Sequence, residues 1–230
     1  MAAQLARVVE VGAWLAVATG RGASVRRDLR AHLPQALWSR MLIGYYNGAE
    51  IATLDDDGSP DRTGTICEGL ESLAAALHAQ PELAHAADRE DRGFQITLRS
   101  RHTMPENRLW DLVQQVLLMT GRRDVTVTCS GHSVDILAPG VSNLNVLTKL
   151  RDRVGTAPVL CIGDRGRWPG NDYELLREPF SLGVDEISVD PDTCWNLALL
   201  GQRGIAVTLN YLEALEVVEG RLRFRPEAFR

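Results

Sequence analysis

The sequence lacks the cysteine pattern of a zinc knuckle or a disulfide framework. Its four cysteines, Cys67, Cys129, Cys161 and Cys194, are scattered, with no C-x-x-C pair and no histidine at ligand spacing, so they read as buried thiols. Positive charge is not in surplus either. With 25 Lys and Arg against 30 Asp and Glu, the net charge of -5 is opposite to what a nucleic-acid surface requires. No apolar run approaches a membrane span, and the amino terminus has neither the basic region nor the uninterrupted apolar stretch of a signal peptide. The expectation is a cytoplasmic protein with no membrane partner. None of the five histidines stands with a serine or cysteine at a strand turn, which leaves a hydrolase triad unsupported. Internal repeats and low-complexity tracts are absent as well.

What is present is enough to fold. At 230 residues and 45% hydrophobic content the chain can bury one large core or two small ones. Residues 3–10 predict an amphipathic helix, 13–18 a short apolar strand, 24–37 a helix, 41–46 a buried strand, and 49–54 another strand after the Asn47-Gly48 turn. That alternation predicts a parallel sheet. The middle has another rhythm: helix 64–79, strand 94–99, helix 106–120, and strands 125–129 and 133–137 joined through Ser130-Gly-His132. It predicts an antiparallel sheet with helices on one face. Residues 81–93 read as a loop or frayed helix end. The parallel rhythm returns with helix 144–154, strand 159–163, helix 171–178, strand 186–189 and helix 208–217; residues 222–230 give no signal.

Within this frame the run from Ala157 to Asp172 carries the most chemistry. An apolar strand, Val159-Leu-Cys-Ile-Gly163, enters a loop bearing Asp164 and Asp172. A hard divalent cation takes oxygen ligands and keeps several waters, so two carboxylates at a strand's carboxyl end suffice for magnesium. The bland reading is that Asp164 caps a turn and Asp172 the next helix. Thr19-Gly20-Arg21 ends another strand, where a hydroxyl and backbone N–H groups can hold a phosphate. Trp14, Trp168 and Trp195 read as packing anchors, with Trp168 bordering the acidic loop. Arg165 and Arg167 are candidates for an anionic substrate, although loop arginines are commonly just solvated.

Taken together and in order, Val17-Ala-Thr-Gly-Arg21, Tyr46-Asn-Gly-Ala-Glu50, Gly140-Val-Ser142 and Ile162-Gly-Asp164 with Asn171-Asp172 resemble the haloacid dehalogenase superfamily. More narrowly they resemble its capped sugar phosphatases, of the sucrose-phosphate and trehalose-phosphate type, over nearly the whole chain. The resemblance implies an α/β fold: a Rossmann-like parallel-sheet core of residues 1–48 and 141–230, with an α+β cap of residues 49–140. It implies a magnesium-dependent phosphatase of a small phosphorylated metabolite, such as a sugar phosphate. Thr19, with Gly20 and Arg21, would bind the transferred phosphoryl group; Asn47 would face it from the cap hinge; Asp164 and Asp172 would hold the metal.

Two departures qualify that expectation. The superfamily's Asp-x-Asp, which supplies nucleophile and general acid/base, has no counterpart ahead of Thr19, so the central strand of the sheet is expected to be missing. Asp55-Asp-Asp-Gly58 does not replace it, because Ser59-Pro60 after it marks a reverse turn. The superfamily's phosphate-binding lysine also has no match: Asn143 stands in its place, and Lys149, nearly two turns on, reads as a solvated surface residue. The chain alone is therefore expected to be inactive or feeble. A start site downstream of the true one, a partner chain donating the strand, or a sheet re-paired in a degraded protein would account for the difference. The rival expectations are a non-catalytic member binding a phosphorylated ligand or a protein, and one half of a split phosphatase.

Overall fold

The computed structural model describes residues 1–60, 66–101, 104–219 and 221–229. The chain divides into two units, one of residues 1–60, 143–168 and 172–230, the other of residues 61–142 and 169–171.

The first unit opens with helix α1 (Ala2–Glu10), which buries Val8 and Val9. Strand β1 (Leu15–Ala18), helix α2 (Ala23–His32), strand β2 (Met41–Tyr45) and strand β3 (Glu50–Thr53) follow. The helix expected to reach residue 37 stops at His32. Pro34 is the cause, since it drives Leu33 into extended backbone at φ -120°, ψ 138°. A 3-10 stretch, Gln35–Arg40, completes the connection. β1 and β2 pair in parallel, and every residue of β2 is buried. β3, which the sequence reading gives to the inserted module, pairs antiparallel with β2 in this unit.

The second unit comprises α3 (Glu71–His78), α4 (Pro81–Ala86), β4 (Ala87–Arg92), β5 (Gln95–Ser100), α5 (Glu106–Thr120), β6 (Thr126–Cys129) and β7 (Val134–Leu137). Its strands form one antiparallel sheet in the order β4-β5-β7-β6, with α5 against β5 and β7. Residues 64 and 65 of the helix expected over 64–79 lie outside the described residues, residues 66–70 are not helical, and the helix starts only at Glu71, as α3. Residues 81–93, read as a loop or frayed helix end, hold the short helix α4 and the strand β4. β4 is polar almost throughout because it is an edge strand, where charge is tolerated and blocks further pairing. Its carboxylates are held across and beside the ladder, Glu90 by Arg99 at 2.9 Å and Asp88 by Arg101 at 2.5 Å. The segment at 169–171 joins this unit by a parallel bridge between Gly170 and Cys129.

The first unit resumes with α6 (Leu144–Val154), β8 (Cys161–Gly163), β9 (Ser181–Gly183), β10 (Trp195–Asn196), α7 (Ile205–Glu213) and the hairpin β11 (Leu215–Val218) and β12 (Arg221–Phe224). β8, β9 and β10 are parallel, in the order β10-β9-β8. Two expectations are corrected here. The strand placed at 186–189 is Ser181–Gly183 instead, and the helix placed at 171–178 is only the 3-10 turn Leu175–Arg177, ended by Pro179. The unread tail forms β12, whose Phe224 stacks with Phe229 and meets Tyr211 edge-on.

The unit is layered, with its mixed sheet β1-β2-β3 and its parallel sheet β10-β9-β8 flanked by the same helices. Leu15 and Val17 of β1 join Ile43 of β2 and Val9 of α1 in one core cluster. The alternate face of the same sheet carries Gly44, where a Cβ would lie 2.1 Å from Val146 Cγ2 of α6. β8 repeats the arrangement: Cys161 packs on Leu147 of α6, whereas Ile162 packs on Val207 and Tyr211 of α7. Leu160, just before β8, packs on Val8 of α1.

Candidate active site

The candidate residues lie in the segments that follow β1, β2 and β8 or at the amino end of α6. After β1 the chain turns at Thr19-Gly20-Arg21, and the first strand pair laces this turn to the end of β2. Thr19 donates its N–H to Gly44 O at 3.0 Å, and Asn47 donates its N–H to Thr19 O at 2.8 Å. Asn47 is buried and left-handed at φ 58°, with Tyr46 left-handed before it and Gly48 after it at φ 84°. Asparagine tolerates that region better than most residues, so the Asn47-Gly48 pair makes this turn affordable. Thr19 Oγ1 accepts from Arg21 N at 3.1 Å, which leaves the hydroxyl proton available for donation.

The side chain of Arg21 takes another course. Its guanidinium is bound to Asp28 Oδ2 at 2.5 Å and to Ser24 Oγ at 3.2 Å, both on α2. Its backbone, not its charge, faces the turn, since Tyr46 N donates to Arg21 O at 3.3 Å. Asn143 is the buried residue ahead of α6, and Asn145 in that helix donates to Gly48 O at 3.3 Å. The amino end of α6 thus sits beside the Asn47-Gly48 turn. Lys149, the one lysine of the sequence, is exposed on the same helix.

The acidic loop after β8 is closely built. Asp172 Oδ2 accepts from Asp164 N at 2.9 Å and Arg165 N at 3.4 Å. Gly163 makes this approach feasible, because a Cβ there would fall 2.6 Å from Asp172 Oδ2. Asp164 is exposed and brings its carboxyl group to hydrogen-bonding range of Asp172. Burial, followed by the neighbouring Asp164 carboxyl, pushes the Asp172 pKa up to about 6. Two carboxyl groups so close resist joint ionisation, and a hard divalent cation removes that conflict by taking oxygen from both. No group of three or more His, Cys, Asp and Glu that could hold a metal is found among the described residues.

Glu186 escaped sequence reading because its segment was taken for a strand. Its N–H donates to Asp164 O at 3.1 Å, and its carboxylate holds Arg165 at 3.0 Å and Arg167 N at 3.3 Å. It fixes the loop and spends the Arg165 charge. Trp168 is exposed, as is Trp195.

Outside this region a second polar cluster lies on the sheet of the other unit, on the face opposite Ile96, Leu98, Val134 and Ile136. Thr97 Oγ1 donates to Asp135 Oδ1 at 2.7 Å, Gln95 Nε2 reaches Thr97 Oγ1 at 2.7 Å, and Ser133 Oγ reaches Asp135 Oδ2 at 3.3 Å. All four side chains are buried, and desolvation raises the Asp135 pKa. The alternation Gln95-Ile-Thr-Leu was the available signal.

No protein-family model and no curated protein matches the sequence. Solved structures do. The sucrose-phosphatase of Synechocystis sp. PCC6803, in complex with sucrose and phosphate, is 21% identical, with 83% of this chain and 79% of that chain covered at a TM-score of 0.57. A haloacid dehalogenase-like hydrolase from Bacteroides thetaiotaomicron is 14% identical, with 84% of each chain covered at 0.56. An IMP-nucleotidase from Plasmodium falciparum, bound to IMP, is 11% identical, with 76% of this chain and 56% of that chain covered at 0.52. A parallel-sheet unit interrupted by an antiparallel α+β unit, with paired acids after β8, gives this chain the fold of the haloacid dehalogenase-like hydrolases.

Proposed function

We propose that this chain supplies the metal and phosphate side of a magnesium-dependent phosphatase-type hydrolase whose substrate is a small phosphorylated metabolite of the sugar-phosphate kind. One observation carries the reading: two carboxyl groups, Asp164 and Asp172, meet at the carboxyl end of a parallel strand, and Asp172 is held there by backbone N–H groups. Open parallel sheets bind ligands at these strand ends. Asp164 and Asp172 hold the cation, which when bound neutralises charge on the phosphoryl oxygens. The Thr19 hydroxyl donates to the phosphoryl group, backed by Gly20 and by the Arg21 N–H, while Asn47 and Asn143 orient it from the end of β2 and the start of α6. Positioning and charge neutralisation are most of what phosphoryl transfer asks of a protein. The reaction in this reading is carboxylate attack on phosphorus, followed by hydrolysis of the acyl phosphate. The attacking carboxylate comes from a strand outside these residues, so the chain alone turns over little or no substrate.

A second reading, a non-catalytic binder of phosphorylated ligands, is favoured by the exposure of Lys149, which leaves the phosphate side without an amine. Calorimetric titration separates the cases. Mn2+ and Mg2+ are expected to bind the chain once, inorganic phosphate to bind more tightly with the cation present, and Asp164→Asn and Asp172→Asn each to weaken cation binding at least about tenfold. Cation binding that is unchanged in both variants sinks the metal assignment. Phosphate binding that ignores the cation favours the second reading.

A further inference from the structure

The segment between Asp164 and Asp172 is seven residues long and contains two glycines, Gly166 and Gly170. Left to itself, such a segment samples many conformations, and the acids at its ends meet only part of the time. Its first half is held by Glu186, which donates to Asp164 O and whose carboxylate takes the Arg165 side chain and Arg167 N. Its second half is held elsewhere. Residues 169–171 belong to the second unit, although the acids on either side of them belong to the first.

The attachment is a single residue of β6. Cys129 donates its N–H to Pro169 O at 2.9 Å and accepts at its own carbonyl from Asn171 N at 3.2 Å, so its two main-chain groups straddle Gly170. β6 is the outer strand in the order β4-β5-β7-β6. Ser130 N donates to Ser133 O within the hairpin, and alternation along an antiparallel strand therefore turns the groups of Cys129 outward, away from β7. Cys129 is itself firmly placed. Its side chain is buried in register with Val134, and the hairpin beyond it is tied by the hydroxyls of Ser130 and Ser133 at 2.8 Å, with Ser133 reaching the buried Asp135. Pro169 suits its part, because the bridge asks only for its carbonyl.

We infer that the main chain of Cys129 is a positioning element for the acid pair: it pins residues 169–171 to the edge of β6 and so fixes where the next residue, Asp172, enters beside Asp164. The effect travels through one peptide unit. Asn171 N is bonded to β6, and the Asp172 carboxyl group that follows accepts from Asp164 N at 2.9 Å. Releasing the first bond loosens the second. The coupling is reciprocal, because a cation that needs both carboxylates binds the pinned segment better and must tighten the pinning by the same factor. The inference rests on the metal reading for its ligand alone, and the pinning is measured without any cation.

Two variants of the full chain separate main chain from side chain. Cys129→Pro removes the N–H that faces Pro169 and leaves the β7 ladder whole, since an outward-facing edge position tolerates proline. Cys129→Ala keeps that N–H and removes only the thiol. Without cation, hydrogen exchange of the Asp164 amide is expected to accelerate at least about fivefold in Cys129→Pro, as the loss of one hydrogen bond implies, and to be unchanged in Cys129→Ala, with the β9 amides unaffected in both. Calorimetric titration with Mg2+ is expected to show binding weakened at least about tenfold in Cys129→Pro alone. In the unaltered chain Mg2+ is expected to slow exchange of the Cys129 and Asn171 amides at least about fivefold. If Cys129→Pro fails to fold, Asn171→Pro removes the opposite donor without touching β6 and must accelerate Asp164 exchange by the same factor. Asp164 exchange that is unchanged in the proline variant, or accelerated as much by Cys129→Ala, overturns the inference, as does cation binding that ignores Cys129→Pro. Faster exchange in a chain that binds no cation upholds the pinning and rejects the metal site.

Discussion

At the residue scale, burial sets the behaviour of the two unusual carboxyl groups. Asp172 has a near neighbour of like charge, whereas Asp135 is surrounded by neutral donors, with Arg92 and Arg99 near enough to temper its rise. Because the folded pKa of Asp135 lies above its ordinary value of 3.8, the native state holds this proton more tightly than the unfolded chain does. The resulting stabilisation is complete below the unfolded pKa and is lost as pH rises through the folded one. Asp135→Asn carries no charge to bury, so its stability relative to the unaltered chain is expected to rise as pH increases above about 4, through the raised folded pKa. Thermal midpoints of the pair across that range check it, and a constant difference would contradict the assignment. The sequence located Asp164 and Asp172 because acids after an apolar strand are visible locally. It missed Glu186, whose role depends on meeting Asp164 across a turn.

At the scale of elements, two helices were legible to the residue. α5 and α6 have strong apolar periodicity and end at glycine, with Gly121 and Gly155 at positive φ. The short strands were not. β9 and β10 have three and two residues, too few to show a period, and β4 hides its register under charge. The contact of α6 with β2 is close, and Gly44 is its precondition. Gly44→Ala is expected to destabilise the fold by about 1–3 kcal/mol, because its methyl group would overlap Val146. The thermal midpoint should fall by roughly 2–4 °C for each kcal/mol. Val146→Ala in the same chain should recover part of the loss, and additive losses would show that the contact is not the cause.

At the scale of the whole molecule, binding at the strand ends should register as stability. A cation and phosphate that bind only the folded chain raise its stability by about 2.7 kcal/mol at a concentration one hundred times Kd. Thermal denaturation with Mg2+ and inorganic phosphate is therefore expected to shift upward by several degrees, and Asp172→Asn to remove most of the shift. An equal shift in the variant would place the ligands elsewhere. No described helix is long and apolar enough to cross a membrane, in keeping with the mean hydropathy of -0.12.

The sequence by itself determined the alternation of helices and strands, the acidic loop and the turn after β1, because each is written in neighbouring residues through periodicity, glycine and proline. Tertiary structure alone decided that β1 and β8 head separate sheets under shared helices, that Arg21 spends its charge on Asp28, and that burial beside Asp164 raises the Asp172 pKa. Strand pairing and desolvation depend on which distant segments meet: Val8 beside Leu160 and Leu212, Gly44 beneath Val146. No local pattern encodes those encounters.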